Sequence, residues 1–171
     1  FIKSKPIISL LLLVTLFYGL SSEGYDRLST AHFLSDTTLP KLWNLQPVTW
    51  FGIFGIVGMV LSAISMQFII KRLGANGKIR SAVILLITNT FYIMSMVVFA
   101  LTRDFSIMLI AYLSTNMFRS VNEPILNAWI NRHIDDNARA TILSTNGLIN
   151  SLGQIIGGPF IGVLATNISV S

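Results

Sequence analysis

The charges of this chain are spaced so widely that they divide it into long uncharged windows. Residues 6–22, 42–70, 81–102, 105–118 and 140–171 contain no Lys, Arg, Asp or Glu. About 20 mostly apolar residues make a helix long enough to cross the hydrocarbon core of a bilayer. The windows therefore predict five transmembrane helices, at about 6–22, 51–70, 81–101, 107–130 and 141–165. The fourth outruns its window, continuing through Arg119 and Glu123 to the polar run Asn131-Arg132-His133. A membrane barrel would need short segments of alternating polarity. Unbroken apolar runs predict instead an all-α, polytopic transmembrane bundle.

Composition sharpens this picture. Of the 171 residues 53% are hydrophobic and only 11% charged, and the mean hydropathy is +0.70. Soluble domains carry about 25% charged residues, so too few charges are present to solvate a globular surface. Disordered chains are polar and highly charged, which this one is not. Cysteine is absent, removing disulfides, thiolate metal sites and a cysteine nucleophile from consideration.

Lys3 and Lys5 ahead of an apolar stretch have the form of a signal peptide's opening. With Phe at position 1 and four further spans following, the segment reads instead as a first transmembrane helix. An N-terminal half and a final helix are expected beyond this sequence, which has the look of a fragment.

The net charge of +5 is a topology signal, because basic residues concentrate in cytoplasmic loops. If Lys3 and Lys5 lie inside, so do Lys71, Arg72, Lys78 and Arg80 of the second connection and Arg132 and Arg139 of the fourth. The opposite side then holds only Arg27, Lys41 and Arg103, and Arg119 lies within a span. A nucleic-acid surface would need its basic residues on one solvated face, and none is assembled, so no nucleic-acid partner is expected. The 23–49 stretch is expected outside. Glu23 and Arg27 are spaced i,i+4 there, and Tyr25, Leu28 and Phe33 offer an apolar side, so the first helix can run on past the membrane surface and turn near Pro40. Trp43 and Trp50 suit the interface, where an indole buries its ring and hydrates its N–H.

Candidate chemistry concentrates in the fourth and fifth spans. At about 100° per residue, Asn116, Arg119, Glu123 and Asn127 fall within about 80° of one another, with Ser120 at the border. Charged groups at bilayer depth normally face a bundle interior or an aqueous cavity. Counting about 1.5 Å per residue from Ile107, Arg119 is about 18 Å and Glu123 about 24 Å deep. Both then sit in the cytoplasmic half of a core about 30 Å thick. Pro124 removes a backbone donor and frees the Ser120 carbonyl, inviting a kink. Two roles stay open for the pair: pinning or gating helix ends near the cytoplasmic face, or direct proton coupling and substrate contact through Glu123.

In the fifth span Asn146, Asn150 and Gln154 recur every four residues, and Gly158 and Gly162 extend the row. Gly153/Gly157 and Gly158/Gly162 fit the G-x-x-x-G spacing that lets helices approach closely, and Pro159 predicts a bend in the outer half. Helix packing accounts for the glycines; the three amides suit either interhelical bonding or a cavity wall. Gly52, Gly55, Gly58, Ser62 and Ser65 of the second span are read as packing residues. Thr88, Asn89 and Thr90 form no stripe and can bond within their own helix.

Other signals fail on inspection. Gly74-Ala75-Asn76-Gly77-Lys78 has Arg72 in the first-glycine position of a phosphate loop and Ile79 in the hydroxyl position. His32 and His133 fall on opposite expected sides, so no metal site is expected, and no cofactor. Asn167-Ile168-Ser169 fits a glycosylation sequon but hugs the end of a span. No nucleophile–base arrangement can be assembled on one face, and the chain is not expected to be an enzyme.

Three segments of the last third resemble a known family in order. Arg119-Ser120-Val121-Asn122-Glu123-Pro124, Ala128-Trp129-Ile130-Asn131-Arg132 and Arg139-Ala140-Thr141-Ile142-Leu143-Ser144 are similar to the tenth and eleventh helices of the major facilitator superfamily. Ser151-Leu152-Gly153 and Gly157-Gly158-Pro159-Phe160-Ile161-Gly162 fit its drug-efflux-like bacterial branch. Glu23-Gly24-Tyr25-Asp26-Arg27-Leu28 resembles the outer end of a seventh helix, and Lys71-Arg72-Leu73-Gly74 through Lys78-Ile79-Arg80 the second copy of the family's basic cytoplasmic loop, without its acidic residue. The resemblance covers nearly the whole chain as helices seven to eleven. It implies two six-helix halves built from inverted repeats, with substrate bound between the halves. It further implies that helices seven, eight, ten and eleven border the cavity. Arg119 sits where the copy of a fourth-helix arginine motif would fall, with Glu123 in place of the expected glycine.

The resulting expectation is part of a multi-pass inner-membrane transporter of a bacterial cell: a proton-coupled antiporter for multidrug or small-molecule efflux, working by alternating access. Its partners would be the lipid bilayer, a small-molecule substrate, protons and the N-terminal half of the same chain. Alternatives are sugar or metabolite uptake by the same fold, or a non-transporting membrane scaffold or receptor subunit.

Overall fold

A computed structural model describes residues 6–36, 45–76, 81–133 and 136–168. They form five α-helices: α1 Pro6–Asp36, α2 Pro47–Asn76, α3 Ser81–Leu101, α4 Phe105–His133 and α5 Asp136–Ile168. Among the described residues there is no strand. Three helical stretches are long and apolar enough to cross a membrane: Ile8–Asp36, Pro47–Ile69 and Val83–Leu101. The segments 107–130 and 141–165 lie inside α4 and α5, which have 29 and 33 residues. α4 interrupts its apolar run with Asn116, Arg119, Asn122, Glu123 and Asn127.

The first helix runs well beyond residue 22. At about 1.5 Å per residue its 31 residues extend about 46 Å. Its charges need not break it, because they find partners within the helix. Arg27 Nε donates to Glu23 Oε1 at 2.6 Å, one turn back, and i,i+4 pairs of this kind favour helix. The turn expected near Pro40, and Trp43 with it, lies outside the described residues.

Helix starts follow local chemistry. Pro47 occupies the first position of α2, where its missing N–H costs nothing, and the Gln46 carbonyl accepts from Thr49 N at 2.9 Å. Before α4, Asp104 Oδ1 accepts from Ile107 N at 3.0 Å, an N-cap that satisfies an otherwise orphaned donor.

The helices fall into two compact units. One comprises residues 1–31 and 134–171, and the other residues 32–133. In the second unit α4 packs against both α3 and α2, most extensively against α3. Its core is aromatic. Phe33 is fully buried, and its ring centroid lies 5.5 Å from those of Phe54, Phe99 and Tyr112 and 5.9 Å from that of Phe51. Most contacts are edge-on or tilted, the arrangement that ring quadrupoles favour. One side chain near the end of α1 thus joins α2, α3 and α4. The outward faces are apolar as well: Ile56, Met59, Ile64 and Phe68 of α2 and Leu86 and Ile93 of α3 are exposed. Apolar surface of that extent suits hydrocarbon better than water.

Phe33 gives the fold its most direct test. Replacing it with alanine removes a ring contacted from three helices, which costs about 3–5 kcal/mol in a packed core. Thermal unfolding of the detergent-solubilised Phe33→Ala variant is expected well below wild type, with Phe33→Leu between them.

Candidate functional site

The expected functional residues divide between the two units. In the second unit, α4 presents Asn116, Arg119, Glu123 and Asn127 along one flank. Asn116, Arg119 and Asn127 are half-buried, whereas Glu123 is exposed. Asn116 Nδ2 donates back to the Tyr112 carbonyl at 2.9 Å. The helix continues through Pro124, which has no N–H to offer the Ser120 carbonyl. Ser120 Oγ donates to the Met117 carbonyl at 2.8 Å.

Phe105 and Tyr112, on the same side of α4 as that flank, join the aromatic core against Phe54 of α2, but the face that α4 buries most fully is a different one. Met108, Ala111, Thr115, Asn122 and Ile125 are buried there, centred about 120° around the helix from the Arg119–Glu123 flank. It carries the most developed polar contact of the unit. Thr88 Oγ1 bonds to Asn122 Oδ1, and Asn122 Nδ2 donates to Asn89 Oδ1 at 3.0 Å. Asn89 Nδ2 in turn donates to the Leu85 carbonyl at 2.8 Å. An amide buried to 5% exposure is thereby partnered at both ends. Asn89 does bond within α3, as its short side chain allows, and the one hydroxyl proton of Thr88 is shared between the Ile84 carbonyl and Asn122. They also clasp α4, which their lack of a stripe does not reveal.

In the first unit, the row of amides on α5 meets α1. Thr15 Oγ1 donates to Asn146 Oδ1 at 2.7 Å. One turn on, Gly19 lies directly against the backbone carbonyl of Asn150, leaving no room for a Cβ. Asn150 Oδ1 is buried and has no hydrogen-bond partner among the described residues. Gly153 and Gly157 face the backbone of Leu16 and Leu20, and a Cβ on Gly157 would lie 2.7 Å from the Leu20 carbonyl oxygen. Beyond them the Arg27 guanidinium lies over Gly158, with Nε and Nη2 each 3.3 Å from where a Cβ would stand. Contacts advance together along both helices, so α1 and α5 are parallel. Gln154 is half-buried, and Pro159 and Gly162 are accommodated within α5.

No protein-family model, curated protein or solved structure matches the chain.

Of the basic cytoplasmic loop, Lys71 is exposed at the end of α2 and Arg72 belongs to the same helix. Lys78 and Arg80 lie outside the described residues. Among the described residues no group of three His, Asp or Glu side chains could hold a metal ion.

What sequence reasoning missed shares a cause. Thr15, Gly19, Thr88, Asn89 and Asn122 are short or neutral, and a search for charges and stripes passes over them. Asn122 sits one residue from Glu123 yet on another face. The available signals were the four-residue spacing of Thr15, Gly19 and Glu23, and the i,i+1 pair Thr88-Asn89.

The Thr88–Asn122 contact can be measured. Interhelical bonds between polar side chains in membrane proteins contribute about 0.6 kcal/mol on average and up to about 1.7. A double-mutant cycle of Thr88→Val and Asn122→Leu is expected to give a coupling in the upper part of that range. Zero coupling in detergent unfolding would show the two side chains to be energetically independent.

Proposed function

We propose that this chain is the C-terminal part, helices seven to eleven, of a major facilitator-type transporter in a bacterial inner membrane. It would export small molecules in exchange for protons by alternating access. Support comes from the ordered motifs of α4 and α5, from the charge asymmetry of the connections and from the all-helical build with three helices of membrane-crossing character. The parallel pairing of α1 with α5 is also what five alternating crossings require, since first and fifth must run the same way.

The observation that carries the reading is the placement of Arg119 and Glu123. They are one turn apart on a long helix, just before an internal proline, and away from the face that carries the Asn122 contact to α3. A charged flank left outside that interface suits a surface that meets water and a second half of the protein. In this reading Arg119 and Glu123 stabilise one end state near the cytoplasmic gate, and rocking of the halves exposes them alternately. Partners would be the bilayer, a small-molecule substrate, protons and the N-terminal half.

A second reading draws on the α5 row. Asn146 is occupied by Thr15, and Asn150 is packed against Gly19, so those amides serve helix packing. A membrane scaffold that moves nothing would need no more than this.

Glu123→Gln in the full-length protein separates the two. It keeps the side chain's shape and removes its charge. For the transporter, proteoliposome flux under an imposed proton gradient is expected to fall about 100-fold or more, or to lose its pH dependence, as when a proton-transfer group is removed. Unchanged flux with unchanged pH dependence would remove Glu123 from gating and coupling alike.

A further inference from the structure

One cluster draws on none of the residues of either polar row and plays no part in the proposed transport path. In the second unit His32, in the last turns of α1, uses both ring nitrogens. Nε2 lies 2.9 Å from the carbonyl oxygen of Phe99, and Nδ1 lies 2.7 Å from Asp36 Oδ2. The imidazole also stands edge-on to the Phe99 ring, centroids 5.1 Å apart. It is largely enclosed, at 18% side-chain exposure, while Asp36 is open to solvent at 36%.

Phe99 is among the last residues of α3, where carbonyls lack intrahelical donors. The neighbouring Val98 carbonyl is satisfied by Thr102 N at 3.1 Å, and Phe99 receives its donor from another helix. A carbonyl can only accept, so Nε2 must carry a proton. An ionised carboxylate also only accepts, so Nδ1 must carry one too. The alternative is a neutral imidazole whose Nδ1 accepts from a protonated Asp36. In either case one proton sits between Nδ1 and Oδ2. A cationic ring here also complements the negative end of the α3 dipole.

We propose that His32, Asp36 and the Phe99 carbonyl form a proton-held clasp that caps α3 from the end of α1 and opens when the shared proton leaves. Once the proton passes to solvent, a neutral imidazole with one N–H faces two acceptors. It can keep Asp36 or Phe99, and the other contact becomes a lone pair opposed to an oxygen. Among the described residues α4 brings Tyr112 against the Phe99 ring, centroids 6.1 Å apart. α3 contains no Asp, Glu, Lys, Arg or His, and its titratable side chain is Tyr92. The α3–α4 connection brings Arg103 and Asp104, both exposed, with Asp104 engaged as the α4 cap. Residues 45–70 of α2 and its approach carry no charge. On α1, Glu23, Asp26 and Arg27 precede the pair, and Ser35 Oγ donates to Asp36 Oδ2 at 3.4 Å. The charge asymmetry of the loops puts this end of α1 outside, where the clasp would report external pH. The proposal stands independently of transport, since it concerns the end of α3 and not a substrate path.

Hydrogen–deuterium exchange of the full-length protein tests it, comparing wild type with His32→Gln at the same pH so that intrinsic exchange cancels. The glutamine amide can still donate to Phe99 but holds no exchangeable charge. Between about pH 5.5 and about pH 8.5, the wild-type to variant protection ratio at residues 98–104 should fall about threefold or more. Residues 85–95 in the middle of α3 should keep a constant ratio. If His32→Gln does not fold, Asp36→Asn replaces it: protection at the acid end should drop below wild type and the two should converge at the alkaline end. A ratio at 98–104 that is the same at both pH values, in whichever variant folds, overturns the clasp.

Discussion

In a helical bundle with mostly apolar surroundings, a polar side chain turned away from water is stabilised chiefly by a partner within the protein. That constraint explains more of this structure than apolar packing does. Apolar side chains face outward as readily as inward, so burying them does not select one helix neighbour over another. The selective contacts are polar or steric. Asn122 is held by Thr88 and Asn89 where α3 meets α4; Asn146 is held by Thr15 where α1 meets α5. At Gly19, Gly153 and Gly157 the backbones come so near that a methyl group would collide. Close approach compensates for the missing hydrophobic drive by dispersion, and small residues make it possible.

The same constraint shows why the Arg119–Glu123 flank differs from the rest. Elsewhere on these helices serines, threonines and asparagines return a hydrogen bond to a carbonyl one turn back, as Thr115 does to Ala111 and Asn116 to Tyr112. A short neutral side chain can always be absorbed in that way. An exposed carboxylate such as Glu123 cannot be, because the helix's own carbonyls only accept. Its place on a long helix therefore asks for water, a counter-charge or another part of the protein, which is the physical content of the transport reading.

How much of this was legible in the sequence depended on the kind of signal. Helix positions were, because the gaps between charges mark them and each predicted span falls within one helix. The end of α1 was not fixed by that rule. Glu23 and Arg27 close the uncharged window, yet they neutralise each other within the helix, which continues to Asp36. The α5 row stood out through its four-residue spacing, but its partner surface of Thr15, Gly19 and Leu20 did not, since small residues in an apolar helix carry little pattern. Thr88 and Asn122 were hidden for a related reason: each looks self-sufficient until the two helices are brought together. Likewise His32 gave no sign of its role, because Phe99 contributes a backbone atom, which no side-chain motif can reveal.

The central claim is that the Arg119–Glu123 flank of α4 meets water while the Thr88-bonded face does not. Cysteine accessibility in sealed vesicles containing the full-length protein measures this directly, and these 171 residues contribute no native cysteine to the background. Single cysteines would replace Asn116, Arg119, Glu123 and Asn127, and for contrast Ala111, Thr115, Asn122 and Ile125. Labelling by a membrane-impermeant maleimide is predicted to be confined to the first set. Equal labelling of both sets, or protection of all eight positions, would contradict the account.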